Sequence, residues 1–258
     1  MREAVILAAG SGIRLGRSEA KCLAPVAGRP LLAWILDSLA DAGVAQTYVI
    51  VNPEFGDVRA AAAQFGSRMP VDFVKCADSK LGNGRSAAFA EQVVSDERFF
   101  LLMSDHLVSP DHLAVADACA ADSCALATCV PAPWIDLPDA TKVRSDAQGF
   151  ILSIGKELED YNEIDTGVFA MTPALFSALE EARRDGEYSL TAGNQRLARQ
   201  RALRSAPIGE LRWCDVDTPG DLEVAEAWLS GARTRSGRPP ASTAPMHVAW
   251  PARDRDKR

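Results

Sequence analysis

The chain has 258 residues, 47% of them apolar, with 28 Lys and Arg against 35 Asp and Glu for a net charge of -7. That length and apolar share suit one large domain or two small ones with a packed core, and they exclude a disordered or collagenous chain. The acidic balance argues against coating nucleic acid or an anionic membrane surface. It leaves phosphorylated small molecules open, because those need only local positive charge or a bridging metal.

The first half alternates short apolar runs with amphipathic stretches. Residues 4–8 read as a buried strand, and residues 30–42 show helical spacing at Leu31, Trp34, Ile35 and Leu39, opened by Pro30 and stopped by Gly43. A strand at 47–51, a helix from about 56 to 65, a strand at 71–74, a helix at 85–94 and a strand at 98–103 follow. This succession predicts an α/β fold, a Rossmann-like and mainly parallel sheet flanked by helices, with ligands at the carboxyl ends of its strands. After a helix near 111–121 and a strand at 125–130 the rhythm changes. Segments 141–144, 149–154 and 164–171 read as strands joined by turns, with a hairpin at 146–149, forming a small β-rich extension of the same sheet. Helices at 173–184 and 190–199, a strand near 203–208 and a helix at 220–229 close the domain, which is expected to span residues 1–229.

From residue 230 onward seven basic residues stand against two acidic ones, a net of +5 that leaves -12 on residues 1–229. Rich in Pro, Gly, Ser and Arg and without apolar periodicity, residues 230–258 read as a basic disordered tail. The six cysteines (Cys22, Cys76, Cys119, Cys124, Cys129, Cys214) form no C-x-x-C pair, and the chain enters its first strand directly, with no signal peptide. Reduced core thiols in a cytoplasmic protein are expected. No apolar run approaches the roughly 18 residues of a membrane span.

The most informative segment is Leu7-Ala8-Ala9-Gly10-Ser11-Gly12, continued by Arg14, Gly16 and Lys21. A glycine-rich turn directly after the first strand lets backbone N–H groups approach phosphate oxygens, and two nearby cations suit a polyphosphate. It is neither a P-loop nor the dinucleotide G-x-G-x-x-G. A second feature is the apolar strand ending in Ser104-Asp105-His106, where a carboxylate at the sheet's carboxyl edge can hold Mg²⁺ or serve simply as a turn or cap residue. A third is Asp215-Val216-Asp217-Thr218-Pro219-Gly220-Asp221: Asp215 and Asp217 share one face of an extended segment, and Thr218 or Asp221 starts a helix. One of Asp215 and Asp217 could complete a two-carboxylate metal site with Asp105.

In this order, with Gly28-Arg29-Pro30, Gly82-Asn83-Gly84, Ala140-Thr141-Lys142-Val143, Ile154-Gly155-Lys156-Glu157 and Asp165-Thr166-Gly167, the motifs resemble the sugar-phosphate nucleotidyltransferases. Within that group the sequence is most similar to the CTP:inositol-1-phosphate cytidylyltransferases, over about residues 3–229. The tail has no counterpart, and neither does the membrane-embedded phosphotransferase domain of some relatives, so the chain is expected to stop at the activated nucleotide.

The resemblance implies Mg²⁺-dependent transfer of CMP from CTP to a phosphorylated small polyol with release of pyrophosphate. It assigns Leu7 through Gly12, Lys21, Gly82, Asn83 and Asp105 to the nucleotide, with Gly82 and Asn83 reading the base mostly by backbone. Arg14, Lys21 and Asp105 become the catalytic set, Asp105 with Asp215 or Asp217 the metal ligands, and Lys142, Lys156 and Asp165 the acceptor site. His106 is expected to contact ribose or to pack behind the site. Expected partners are CTP and a phosphate or phosphonate acceptor, with no nucleic acid and no membrane span, and with a homodimer left open.

Two other acceptors are weighed, a different phospho-alcohol such as phosphocholine and a hydroxyalkylphosphonate. A quaternary ammonium would favour an aromatic cage, for which the acceptor region offers only Trp134, Phe150, Tyr161 and Phe169. A catalytically silent nucleotide sensor is the alternative from another class, and it would lack one of Arg14, Lys21, Asp105 or the late Asp pair. An NAD-dependent oxidoreductase fails on glycine spacing.

Overall fold

The computed structural model of the protein describes residues 1–16, 20–54, 58–120, 123–133 and 135–236, the last seven as backbone. Trp134 and residues 237–258 of the tail expected over 230–258 lie outside the described residues. In chain order the elements are β1 (Glu3–Ala8), the short hairpin β2 (Pro25–Val26) and β3 (Arg29–Pro30), α1 (Leu31–Asp41), β4 (Gln46–Val51), α2 (Val58–Ala63), β5 (Val71–Lys75), α3 (Asn83–Phe89), β6 (Phe99–Met103) and β7 (His106–Leu107). The second half adds α4 (Pro110–Cys119), β8 (Cys124–Cys129), β9 (Lys142–Ser145), β10 (Ile151–Gly155), β11 (Glu163–Met171), α5 (Ala174–Arg184), α6 (Leu190–Arg199), β12 (Leu203–Pro207), β13 (Cys214–Asp215) and α7 (Pro219–Ser236).

β1 is the axis of a nine-stranded sheet, flanked in parallel by β4 and β6, with β5 parallel beyond β4. β11 then joins antiparallel to β6 and pairs also with β8 and β9, while β12 lies parallel to β8. The β-rich second half is therefore continuous with the main sheet through one long strand. β1 is buried at all six positions, and its period of two supplies both faces. Ala4, Ile6 and Ala8 meet Leu32, Ile35 and Leu39 of α1 and Leu113 of α4, whereas Val5 and Leu7 meet the layer of α3, α5 and α6 through Ala87, Leu175 and Leu197. A third cluster (Leu15, Val26, Leu31, Leu107, Val216 and Ala225) fastens α7 and the β7/β13 ribbon to the glycine-loop side.

The two largest departures from the expected bounds are in helices. The third helix starts at Asn83, two residues before the expected Arg85, and passes into a 3-10 turn at Ala90–Gln92. α7 runs on to Ser236, seven residues into the stretch read as tail, because Ala232, Arg233 and Arg235 favour helix and Gly231 alone does not stop it. Among the described residues no helix is long and apolar enough to cross a membrane.

Glu3 anchors the edge of this core. It is 7% exposed, and its carboxylate accepts from the backbone amides of Ser95 and Asp96 and the Ser95 hydroxyl, all at 2.8 Å, and from the Tyr48 hydroxyl at 3.3 Å. Burial acts to raise its pKa, but these donors outweigh it and hold the group below the ordinary 4.5. Glu3→Gln is expected to cost about 1–3 kcal/mol at pH 7. Because the folded value lies below the unfolded one, the carboxylate's contribution is complete above pH 4.5 and fades as pH falls through the folded value. Urea midpoints measured against pH should therefore fall less steeply in acid for Glu3→Gln than for the wild type.

Candidate active site

The loop after β1 turns back on itself: Ser11 bridges to Ala20, and the Lys21 amide donates to the Gly10 carbonyl at 3.1 Å. Leu7, Ala8 and Gly12 are buried, Ala9 is half-buried, and Gly10, Ser11 and Arg14 are exposed. This return buries the Lys21 side chain, only 8% exposed and, like residues 7–12, not among those lining the adjoining cavity, with Nζ 2.6 Å from Asp105 Oδ2 and also paired with Asp217 Oδ1. A buried ammonium requires such partners. Its neighbour Cys22 is not a nucleophile, since burial pushes its thiol up to about 12.

The two carboxylates come from opposite ends of the sequence and are held by a ribbon of two-residue strands. β7 pairs antiparallel with β13, setting His106 against Asp215, and the Val216 amide donates to the Asp105 carbonyl at 2.9 Å. Asp217 is fixed by the start of α7. The Asp221 carboxylate accepts from the amides of Asp217 (3.1 Å) and Thr218 (2.8 Å), and from the Thr218 hydroxyl (2.8 Å), while the Asp221 amide reaches back to that hydroxyl at 3.4 Å. Thr218 and Asp221 are thus the helix-start residues expected.

His106 holds the other side of Asp105, its Nδ1 2.6 Å from Oδ1. The imidazole stacks on Trp213 with centroids 5.5 Å apart and planes 3° from parallel. On its other flank a Cβ at Gly167 would stand 2.7 Å from the ring, and Gly167 has φ +74°. Burial alone would raise the Asp105 carboxyl, but His106 and Lys21 hold it well below the usual carboxylate range. Asp165 shows the reverse: burial pushes it up to about 6, although the Gly167 amide donates to it at 2.7 Å.

The ion pairs extend across the cleft. Arg14 Nη1 lies 3.1 Å from Asp217 and 3.2 Å from Asp139, and Lys156 Nζ lies 2.5 Å from the other oxygen of Asp139. An alternating array therefore runs Lys156, Asp139, Arg14, Asp217, Lys21, Asp105, His106. It borders a cavity of about 270 Å³ lined by Arg14, Asn83, Asp105, His106, Lys156, Asp165, Asp215 and Asp217 among others.

Lys142 does not line this cavity. Its ammonium donates to the Lys156 carbonyl and sits 5.9 Å over the Tyr161 ring. Gly82 is also outside it. A Cβ there would stand 2.6 Å from the Tyr188 carbonyl oxygen, and at Gly84 2.6 Å from Ser189, so both glycines let α3 pack on that segment. Asn83 does line the cavity, with its Oδ1 accepting from the Leu190 amide at 2.8 Å. Among the described residues Phe150, Tyr161 and Phe169 form no aromatic cage: Phe150 lies beneath Arg201 and Arg204, and of the three Phe169 lines the cavity. Asp139, Trp213, Thr191 and Asn194 line it without having been singled out from the sequence. Only the tryptophan carried a signal, standing immediately before the Cys214-Asp215 segment.

The donor set suits a hard divalent ion shared with substrate. Among the described residues no group of three or more His, Cys, Asp or Glu is arranged as a complete metal cage. Asp105 and Asp217 nevertheless converge on one ammonium, and Asp215 is near enough to feel the charge of Asp105. Mg²⁺ characteristically takes one or two carboxylates and completes its shell with phosphate oxygens and water.

Residues 4–206 match the MobA-like NTP transferase domain. The chain belongs to that family. This member is 33% identical over 231 residues to the bifunctional IPC transferase and DIPP synthase of Thermococcus kodakarensis, an alignment that covers 88% of this chain and 50% of that protein. It is also 33% identical over 250 residues to the CMP-5'-(3-aminopropyl)phosphonate synthase of Streptomyces rubellomurinus, covering 89% of this chain and 39% of that protein. The chain thus spans half or less of the length of these curated relatives. Its structure is similar to the inositol-1-phosphate CTP transferase from T. maritima, with TM-score 0.79, 29% identity and coverage of 88% of this chain and 94% of that one. The expected nucleotidyltransferase-type fold, a mostly parallel sheet flanked by helices, is the fold observed.

Gly167→Ala is expected to cost about 2–4 kcal/mol, combining left-handed backbone strain with overpacking against the imidazole. In a His106→Ala background the same change should cost only the backbone part, about 1–2 kcal/mol. Urea denaturation of the four proteins reads this coupling directly.

Proposed function

We propose that the protein is a Mg²⁺-dependent cytidylyltransferase that transfers CMP from CTP to inositol 1-phosphate, forming a CDP-alcohol and releasing pyrophosphate. The observation that carries this reading is the buried Lys21 at the carboxyl edge of the sheet, set between Asp105 and Asp217 with Arg14 alongside. Cytidine is favoured by the relatives: the T. maritima structure is titled a CTP transferase, and the Streptomyces name contains CMP. The free thiols suit a reducing cytoplasm.

In this reaction an oxygen of the acceptor phosphate forms a bond to the α-phosphorus of CTP as the bond to pyrophosphate breaks in line. The attacking oxygen is already anionic, so no side chain must remove a proton. The obstacle is repulsion between two polyanions, ~4 kcal/mol for each pair of unit charges 4 Å apart at an effective dielectric of about 20. Lys21 and Arg14 neutralise the triphosphate. The loop from Leu7 to Gly12 offers backbone amides to it, and Asn83, with Gly82 behind it, borders the base.

Lys156, which shares Asp139 with Arg14, takes the acceptor phosphate between the same two cations. Asp165 receives acceptor hydroxyls. Lys142 supports the Lys156 backbone from outside the cavity. Mg²⁺ on Asp105 with Asp215 or Asp217 supplies charge neutralisation and polarises the phosphoryl oxygens.

A second reading, transfer to a phosphonate, is favoured by the equal 33% identity to the aminopropylphosphonate synthase. A silent sensor is disfavoured, because Arg14, Lys21, Asp105 and the late Asp pair are all present and electrostatically linked.

Pyrophosphate release with each nucleotide triphosphate and a panel of phosphates and phosphonates is expected to be fastest with CTP and inositol 1-phosphate. Nucleotide binding without release on any acceptor would sink the enzymatic reading. Lys21→Ala should lower turnover by about 10²–10³, as for loss of one preorganised donor, and unchanged turnover would remove Lys21 from the mechanism.

A further inference from the structure

Asn194 lies on α6 with 1% of its surface exposed, lines the cavity, and has its Oδ1 buried without a hydrogen-bond partner. Unpaired buried amide oxygens destabilise a fold and are rare in native proteins. Leucine, with the same number of side-chain heavy atoms and the same branch at Cγ, would remove that burden, so folding alone does not account for an asparagine here.

Its surroundings indicate what the amide is for. Leu190, Thr191 and Asn194 fall on one side of α6 by helical spacing, and all three line the cavity together with Met103 and Phe169. This set is neutral: a carboxamide and a hydroxyl beside apolar side chains. It therefore suits an uncharged polar group, while Arg14 and Lys156 suit phosphate. The next residue, Gln195, accepts from the Ile154 amide at 3.0 Å and registers α6 against β10, the strand that leads into Lys156. Asn194 and Lys156 thus belong to the same wall.

Building on the proposed transfer, we infer that Asn194 is a specificity-determining residue that hydrogen-bonds a hydroxyl of the acceptor while Lys156 holds its phosphate. A hydroxyl donates and accepts, and a carboxamide can meet it in either orientation. An alkyl phosphate would leave the amide as unpaired as it is without ligand, so Asn194 selects polyhydroxylated acceptors over simple alkyl ones.

The test compares wild type with Asn194→Leu in three measurements: melting temperature, equilibrium binding of inositol 1-phosphate, and steady-state pyrophosphate release with CTP. Acceptors are inositol 1-phosphate, propyl phosphate and 3-aminopropylphosphonate. Asn194→Leu is expected to melt no lower than wild type and to keep the KM for CTP. It should lose roughly 10–10²-fold in affinity and kcat/KM for inositol 1-phosphate, the loss of a buried hydrogen bond that leaves its partner unpaired, and should match wild type on propyl phosphate. A lowered melting temperature with unchanged acceptor binding would make Asn194 structural and overturn the inference. So would a wild type that binds only the aminopropyl compound, or no acceptor at all. Pyrophosphate release from CTP at equal rates in both proteins, with inositol 1-phosphate as acceptor, would preserve the reaction and remove this role. Binding that depends on Asn194 without any release would preserve the role and sink the reaction.

Discussion

A lysine ammonium is buried between two carboxylates at the mouth of the sheet, and much of the local architecture follows from keeping it there. Desolvating a cation is tolerable only with well-placed partners, and the partners of Lys21 are Asp105 and Asp217, 112 residues apart in sequence. The β7/β13 ribbon brings their backbones together. The Thr218/Asp221 box sets the entry angle of Asp217, and the imidazole wedged between Trp213 and Gly167 holds Asp105. Arg14, Asp139 and Lys156 continue the alternation to the opposite wall. Every cation in the array already has a carboxylate, so in the proposed reaction Lys21 and Arg14 neutralise a triphosphate only as it competes with those carboxylates.

Local physics made most of the frame legible. The all-buried β1, the parallel neighbours β4, β5 and β6, and helices α1, α5 and α6 follow from apolar periodicity and turn residues, and α6 has the expected bounds of Leu190 to Arg199. Asp105 could be placed at the carboxyl edge because an apolar strand ended just before it. The glycine loop and its two cations could be read because the chemistry of phosphate binding needs those residue types close together.

What stayed hidden depended on long-range pairing. Two-residue strands such as β7 and β13 have no periodicity to detect, and their partner is more than a hundred residues away. Asp139 sits in an irregular loop and becomes meaningful only once Arg14 and Lys156 both reach it. Lys142 and Lys156 look alike in sequence, yet only Lys156 turns into the cavity. Gly82 and Asn83 were readable as a base-recognition signal by resemblance, whereas the structure adds a packing reason for Gly82 and Gly84: backbone at 188–189 leaves no room for a Cβ. Relatives with different names lie at the same 33% identity, so architecture alone does not choose an acceptor, and Asn194 is the side chain proposed to do so.

The net charge of -7 and the paired cations make one requirement of the proposed reaction more pointed than the others: nucleotide binding in this cleft is strengthened by added positive charge. Calorimetric titration of CTP into the protein, with Mg²⁺ and then with a chelator, measures this without any acceptor or turnover. Repulsion of ~4 kcal/mol per close charge pair predicts affinity at least about 10²-fold weaker in the chelator. Equal affinity with and without the ion would contradict the assignment of Asp105, Asp215 and Asp217 to a metal-bridged nucleotide site.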